Sequence, residues 1–142
     1  MAEFAIPNAG VLRFLDWMLK EDTSLVEQLA LRLYTSLTTP GRNSVTADFT
    51  EATFGGYSQR ILARSDFGPA TLDANTGRIT LSGAALSWLP TTSGQVLQGS
   101  FIVGVGSNLL YSARLFATPR EVTAGTRLKL FPVWTLTAPA VA

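Results

Sequence analysis

Past residue 24 the apolar side chains recur at every second position, and that period is what most restricts the fold of this chain. Across 27–35, Leu29, Leu31 and Leu33 alternate with Gln28, Ala30 and Arg32. This is the pattern of a half-buried strand, because successive strand residues point to opposite faces. Five further runs have strand length and character: 57–63, 78–88, 96–105, 109–117 and 127–136. Turn-forming residues separate them. Asp73-Ala74-Asn75-Thr76-Gly77, Gly106-Ser107-Asn108 and Ala124-Gly125 read as hairpin turns, and Thr38-Thr39-Pro40-Gly41-Arg42-Asn43 reads as a loop. Strands spaced by turn signals, with almost no helical pattern after residue 24, predict a mainly β protein: a single sandwich or jelly-roll-like domain.

Ahead of residue 24 the period is 3.6. Pro7 pushes Ile6 out of the helical region, so Ala5 to Gly10 begins as an extended arm. Asn8 can cap a helix running to about Lys20, with Val11, Leu15, Met18 and Leu19 on one face and Leu12 and Phe14 widening the stripe. The change of period marks 1–24 (arm and short α-helix) as separable from a β-sandwich domain spanning 25–142. It predicts that a chain lacking 1–20 still folds. The tail, 138–142, is expected to fray.

Composition then narrows the chemistry. The 142 residues include neither Cys nor His. That removes disulfides, thiolate nucleophiles, Cys- or His-ligated zinc and every catalytic scheme that runs through imidazole. Charged residues make up only 15% against 46% apolar, where soluble domains carry about 25% charged. Part of the surface is therefore expected to be covered by partners. The nine Arg and two Lys are scattered and the net charge is +1, so phosphate-driven nucleic-acid binding has no basic cluster to rest on. With Glu3 and Asp16 in it, the N-terminal stretch lacks the layout of a signal peptide. Residues 79–113 carry no charge, yet Pro90 and five Gly break them, so they read as sheet and not as a membrane span.

No constellation of reactive groups stands out. Asp48 and Glu51 could be imagined as a glycosidase-like acid and base, but three residues apart on an extended segment they face opposite ways, which favours turn, capping or surface roles. The 73–77 turn begins like a calcium loop, but its Gly is fifth and its twelfth residue is Ala84, so it is a hairpin turn and no metal site. Gly104-Val105-Gly106 lacks the Lys-Ser/Thr pair and the helix of a phosphate loop. The aromatic residues, Trp17, Trp88 and Trp134 among them, are interleaved with Leu and Val and read as core. No catalytic residue, cofactor or metal ligand is expected.

The order of these segments carries a resemblance. Thr50-Glu51-Ala52-Thr53-Phe54-Gly55-Gly56-Tyr57 has the form T-E-A-x-F-x-G-Y and follows the Pro-containing loop 37–44. Downstream come a G-x-F-I-V strand from Gly99, the run Leu109-Leu110-Tyr111-Ser112-Ala113-Arg114-Leu115-Phe116, and a final strand Leu128 to Leu136. In this order and spacing the chain resembles a group of small tailed-bacteriophage virion structural proteins. The likeness is most specific over 46–62 and 109–136 and looser over 65–94.

The resemblance implies a non-enzymatic virion protein and supplies no catalytic residues. The expectation is a decoration, or cement, protein on the outside of the head, bound to the major capsid protein and to itself as a homotrimer, with no direct contact to nucleic acid or membrane. The alternatives are a tail, baseplate or fibre-attachment component or, further off, a carbohydrate-binding module, which would need Trp88 or Trp134 on the surface. The contact residues are expected in two places: Ile6, Pro7, Val11, Phe14 and Leu15 of the arm and helix, and Pro40, Gly41, Arg42 and Asn43 of the loop.

Overall fold

The computed structural model describes residues 3–5, 7, 28–62, 71–73, 78–83 and 85–137. The helix expected over 8–20, the boundary at 24, the turn residues 74–77 and the tail 138–142 lie outside the described residues, as do Ile6, Val11, Phe14 and Leu15.

The period-2 segments form the strands. In chain order they are β1 (Glu3–Ala5), β2 (Leu29–Tyr34), β3 (Arg60–Leu62), β4 (Thr71–Asp73), β5 (Arg78–Ser82), β6 (Leu86–Trp88), β7 (Val96–Gly104), β8 (Leu110–Glu121), β9 (Leu128–Leu130) and β10 (Val133–Thr137). The protein is mainly β, as its sequence predicts. A five-stranded antiparallel sheet has the order β1-β8-β7-β2-β3. A three-stranded sheet, β10-β5-β4, and a two-stranded one, β6-β9, complete the fold.

The smaller two sheets are one ribbon with a break. Ser82 pairs with Val133 and Leu86 with Leu130. At the break the Gly83 N–H donates to the Pro132 carbonyl at 2.7 Å. The sequence runs 78–88 and 127–136 are therefore each two strands. Pro132 has no N–H for a ladder, and a Gly stands opposite it, so both strands change register at the same level. β4 and β5 are antiparallel neighbours, as a hairpin requires. Val105–Leu109 joins the antiparallel strands β7 and β8, with Asn108 at φ 56°, a left-handed conformation that Asn tolerates better than most residues. The Ala124-Gly125 turn forms too, with Gly125 at φ 82°, but it is no hairpin: β8 pairs with β7 and β1, whereas β9 pairs with β6.

Alternation places an apolar cluster on each face of the five-stranded sheet. Leu31, Leu33 and Ile102 meet Trp88, Leu97, Val122 and Leu130 on one side. Ala30, Tyr34, Phe101, Val103, Leu110 and Ala113 lie on the other, with Phe49. Fully burying a side chain of this size contributes roughly 1.5–3 kcal/mol. The ladder between β7 and β8 is irregular twice. Tyr111 is an extra residue between the pairs Ile102–Ser112 and Val103–Leu110; this bulge lets Leu110 join one cluster and Tyr111 the other. Further along, Phe116, Ala117, Thr118 and Pro119 stand opposite Gln98 alone. Pro119, which cannot donate to a ladder, sits where the ladder is already open.

Within the arm, Glu3–Ala5 form a strand laid on their own chain, while Ile6, on which Pro7 acts, and residues 8–10 lie outside the described residues. Glu3, Phe4 and Ala5 pair with Leu115, Arg114 and Ala113, and Pro7 is fully buried. Deleting residues 1–7 is accordingly expected to expose the edge of β8 and lower the melting temperature by several degrees, measured by differential scanning calorimetry. An unchanged melting temperature would make β1 dispensable.

Candidate functional site

Residues 35–50 leave β2 and return beside it. The Thr35 N–H donates to the Thr50 carbonyl and the Ala52 N–H to the Leu33 carbonyl, both at 2.9 Å. A loop of this length with closed ends and its own internal packing is an Ω-loop, a class of segment that often carries function. Its inside is dense with hydrogen bonds. Thr38 Oγ1 donates to the Asp48 carbonyl (2.9 Å), Thr50 N–H to Ser36 Oγ (3.1 Å) and Gly41 N–H to Ser44 Oγ (2.9 Å). A single 3₁₀ turn, Thr46–Asp48, is held by Asp48 Oδ2 accepting from the Val45 N–H at 2.9 Å. Thr46 Oγ1 donates to the Asn108 carbonyl (2.8 Å), which ties the loop to the β7–β8 turn.

Phe49 anchors the loop in the core. Its ring lies edge-on to Tyr34 at 4.8 Å and stacks on Phe101 at 5.3 Å, and such pairs add about 0.5–1.5 kcal/mol beyond their buried area. The Tyr34 hydroxyl donates to the Thr38 carbonyl at 3.2 Å, with the Arg114 carbonyl at 3.4 Å. Gly99, the cross-strand partner of Tyr34, leaves room for the ring, since a Cβ there would collide with the Arg114 backbone and the ring itself.

The outside of the loop is what a partner would meet. Arg42 and Asn43 are exposed, as expected for contact residues, and Gly41 is half-buried. Pro40 corrects the expectation: it is buried beneath the loop, as Pro7 is in the fold, so both pack inward and offer no contact surface. Sequence reasoning missed Leu37, which at 88% exposure is the most exposed large apolar side chain among the described residues, and Val45 at 54%. Leu37 carries a signal in hindsight, because it follows the last strand residue and stands among Ser and Thr instead of in an alternating run.

The T-E-A-x-F-x-G-Y segment builds the other flank of β2. β3 covers only Leu29 to Leu31, which leaves the Leu33 N–H to find a partner. Tyr57 supplies it: its hydroxyl accepts from Leu33 N at 3.2 Å and donates to Glu51 Oε1 at 2.8 Å. Arg32 completes the group, with Nε donating to Gln59 Oε1 at 2.9 Å and Nη1 lying 3.7 Å from Glu51 Oε2. Ala52 and Phe54 enter the core. Gly56, at φ 87°, passes so close to the Leu89 carbonyl that no Cβ fits. Asp48 and Glu51 are thus committed to a cap and to a Tyr–Arg cluster. Trp88 is 1% exposed and donates from Nε1 to the Ser58 carbonyl at 2.7 Å, so it offers no platform to a sugar. Among the described residues no group of His, Cys, Asp and Glu could hold a metal, and no helix is long and apolar enough to cross a membrane.

Comparison with family models, with curated proteins and with solved structures gives no match for this chain.

Two expectations follow. Gly56→Val is expected to lower stability by about 2 kcal/mol or more in urea denaturation, through positive φ and overpacking together. Gly55→Val should cost less, because the added Cβ meets mainly the movable side chains of Thr91 and Thr92; equal losses would contradict this. The second concerns pH. Burial pushes the Tyr34 hydroxyl up to about 12. Burial first, then the Glu51 carboxylate, raises Tyr57 as well, although the Leu33 N–H opposes this. Both folded values lie above the ordinary value of about 10. The stabilisation is therefore complete below about pH 10 and is lost as pH rises through the folded values. The urea midpoint is expected to hold steady near neutrality and to fall above about pH 10, with tyrosinate absorbance at 295 nm rising as the protein unfolds.

Proposed function

We propose that this protein is a non-enzymatic structural protein of a tailed-phage particle, bound to the outside of the head as a decoration protein. The observation that carries an assembly role is the 35–50 loop. It is ordered by its own hydrogen bonds and by Phe49, and it presents Leu37, Val45, Arg42 and Asn43 to solvent. A rigid surface loop loses little conformational freedom when a partner binds it, which is how preorganisation raises affinity. The phage assignment rests on the sequence resemblance. Its signature residues Ala52, Phe54, Gly56 and Tyr57 serve the fold, so what supports the reading is likeness of sequence pattern, not a shared reactive site.

In this role the major capsid protein is the partner and a homotrimer is the working unit. Three copies of one loop around a threefold axis would engage three neighbouring capsid subunits, and modest contacts would multiply through effective concentration. Interface area added across the seams between capsomers raises the cost of separating them against internal DNA pressure.

The test is gold labelling of intact virions with an antibody to this protein, read by electron microscopy. Label distributed over the head is the expected result; label confined to the tail would overturn the decoration role in favour of tail attachment. The loop has its own check. Leu37→Ser and Arg42→Ala point into solvent, so each should change stability by no more than about 0.5 kcal/mol. The double variant is expected to lose at least tenfold in co-sedimentation with heads, and undiminished binding would remove the loop from the interface.

A further inference from the structure

A groove of about 540 Å³ opens between the outer half of β8 and the segment that follows β9. Three cationic side chains, Arg114, Arg120 and Lys129, line it, and among the described residues no Asp or Glu does. Arg120 is held in place: Nη1 donates to the Lys129 carbonyl at 2.9 Å and the guanidinium lies 5.1 Å from the centre of the Phe116 ring. Arg114 faces no carboxylate among the described residues. Beside these charges stand the Phe116 ring and Phe131, which is 58% exposed.

Two more observations point to a ligand. Arg114, Leu130 and Phe131 also line a chamber of about 20 Å³ between the sheets, whose other wall includes Ser100 and Ser112. These serines are 8% and 2% exposed, and among the described residues neither hydroxyl has a hydrogen-bond partner. A buried polar group left without a partner costs about 1–3 kcal/mol, and the chamber is large enough for one water-sized group. In addition, Phe116 to Pro119 have no strand partner among the described residues: the described part of β1 pairs with Ala113 to Leu115, and the β7 ladder is interrupted there. Unpaired backbone along a strand edge is what an extended peptide adds to.

We propose that this groove is a docking site for an extended acidic segment of a partner protein. One carboxylate pairs with Arg114 and Arg120 at the mouth of the chamber, an apolar neighbour packs on Phe131, and Ser100 and Ser112 meet a carboxylate oxygen or the water it orders. Charge selects the occupant: Arg recognises carboxylates through planar, charge-assisted hydrogen bonds, while the apolar walls suit alternating side chains better than a phosphate backbone. No residue of the 35–50 loop lines the groove, and the proposal does not depend on the virion assignment.

The experiment uses the full chain and a fluorescein-labelled octapeptide alternating aspartate with valine, read by fluorescence anisotropy. Saturable binding is expected, weakened about tenfold or more when asparagine replaces aspartate. Arg114→Gln and Arg120→Gln should each weaken it by a similar factor, and Arg42→Gln, which does not line the groove, should not. Melting curves confirm that each variant folds; should Arg114→Gln fail to fold, the exposed Lys129→Gln carries the same expectation. Absence of binding, equal binding of the asparagine peptide, an equal loss in Arg42→Gln, or displacement by a single-stranded oligonucleotide at lower concentration than by unlabelled peptide would each overturn the proposal.

Discussion

The described fold turns on the backbone of β2. This strand lies inside the five-stranded sheet with apolar clusters on both of its faces, so water cannot reach its N–H and carbonyl groups and every one needs a partner. β7 satisfies one side along its whole length. On the other side β3 ends at Leu31, and what takes over is not a strand: the Ala52 N–H, the bridge from Tyr34 to Glu51 and the Tyr57 hydroxyl. The turn at Gly56 brings Tyr57 back to this edge, and the same segment delivers Phe54 to the core. A short run of residues thus closes a gap in the sheet, seats a cluster of side chains and defines where the Ω-loop begins and ends.

Much of this is written in the alternation. Leu29, Leu31 and Leu33 announce β2 because a strand with a buried face shows period 2, and the 78–88 and 127–136 runs mark the ribbon because their composition suits a buried sheet. The break in that ribbon is less visible. Gly83 and Pro132 are both weak strand residues, but only their pairing across the ribbon places both interruptions at one level, and pairing is not a local property of sequence. Hairpin reasoning worked at Asn108, where strand neighbours in sequence are neighbours in space, and failed at Gly125, where the next strand joins a different sheet.

The candidate surfaces were less legible than the fold. Pro40 looked like a contact because Pro and Gly mark exposed loops, yet a loop that packs on itself must bury something, and the rigid, uncharged Pro is what it buries. Leu37 reads as an ordinary apolar residue, and only its exposure on the outer side of the closed loop makes it conspicuous. The groove was invisible for a further reason. Arg114, Arg120 and Lys129 are spread along the chain and form no basic cluster by composition; the irregular ladder of β8 and the return of β9 bring them together. Low overall charge and a local cationic groove are compatible because other described cations are engaged elsewhere, as Arg32 is with Glu51 and Gln59 and Arg60 with the Ser87 carbonyl.

The pairing of β1 with β8 also orders events during synthesis. Glu3 is synthesised well before Leu115, its partner, and strands β2 to β7 lie between the two in sequence. No local hairpin can stand in for that contact, and pairings between distant segments are slow to form because loop closure must precede them. The sheet is therefore expected to be completed from its centre outward, with the edge strand β1 the last to find its place. Until then β8 presents an open edge, and a neighbouring nascent copy could occupy it by exchanging the same three residues.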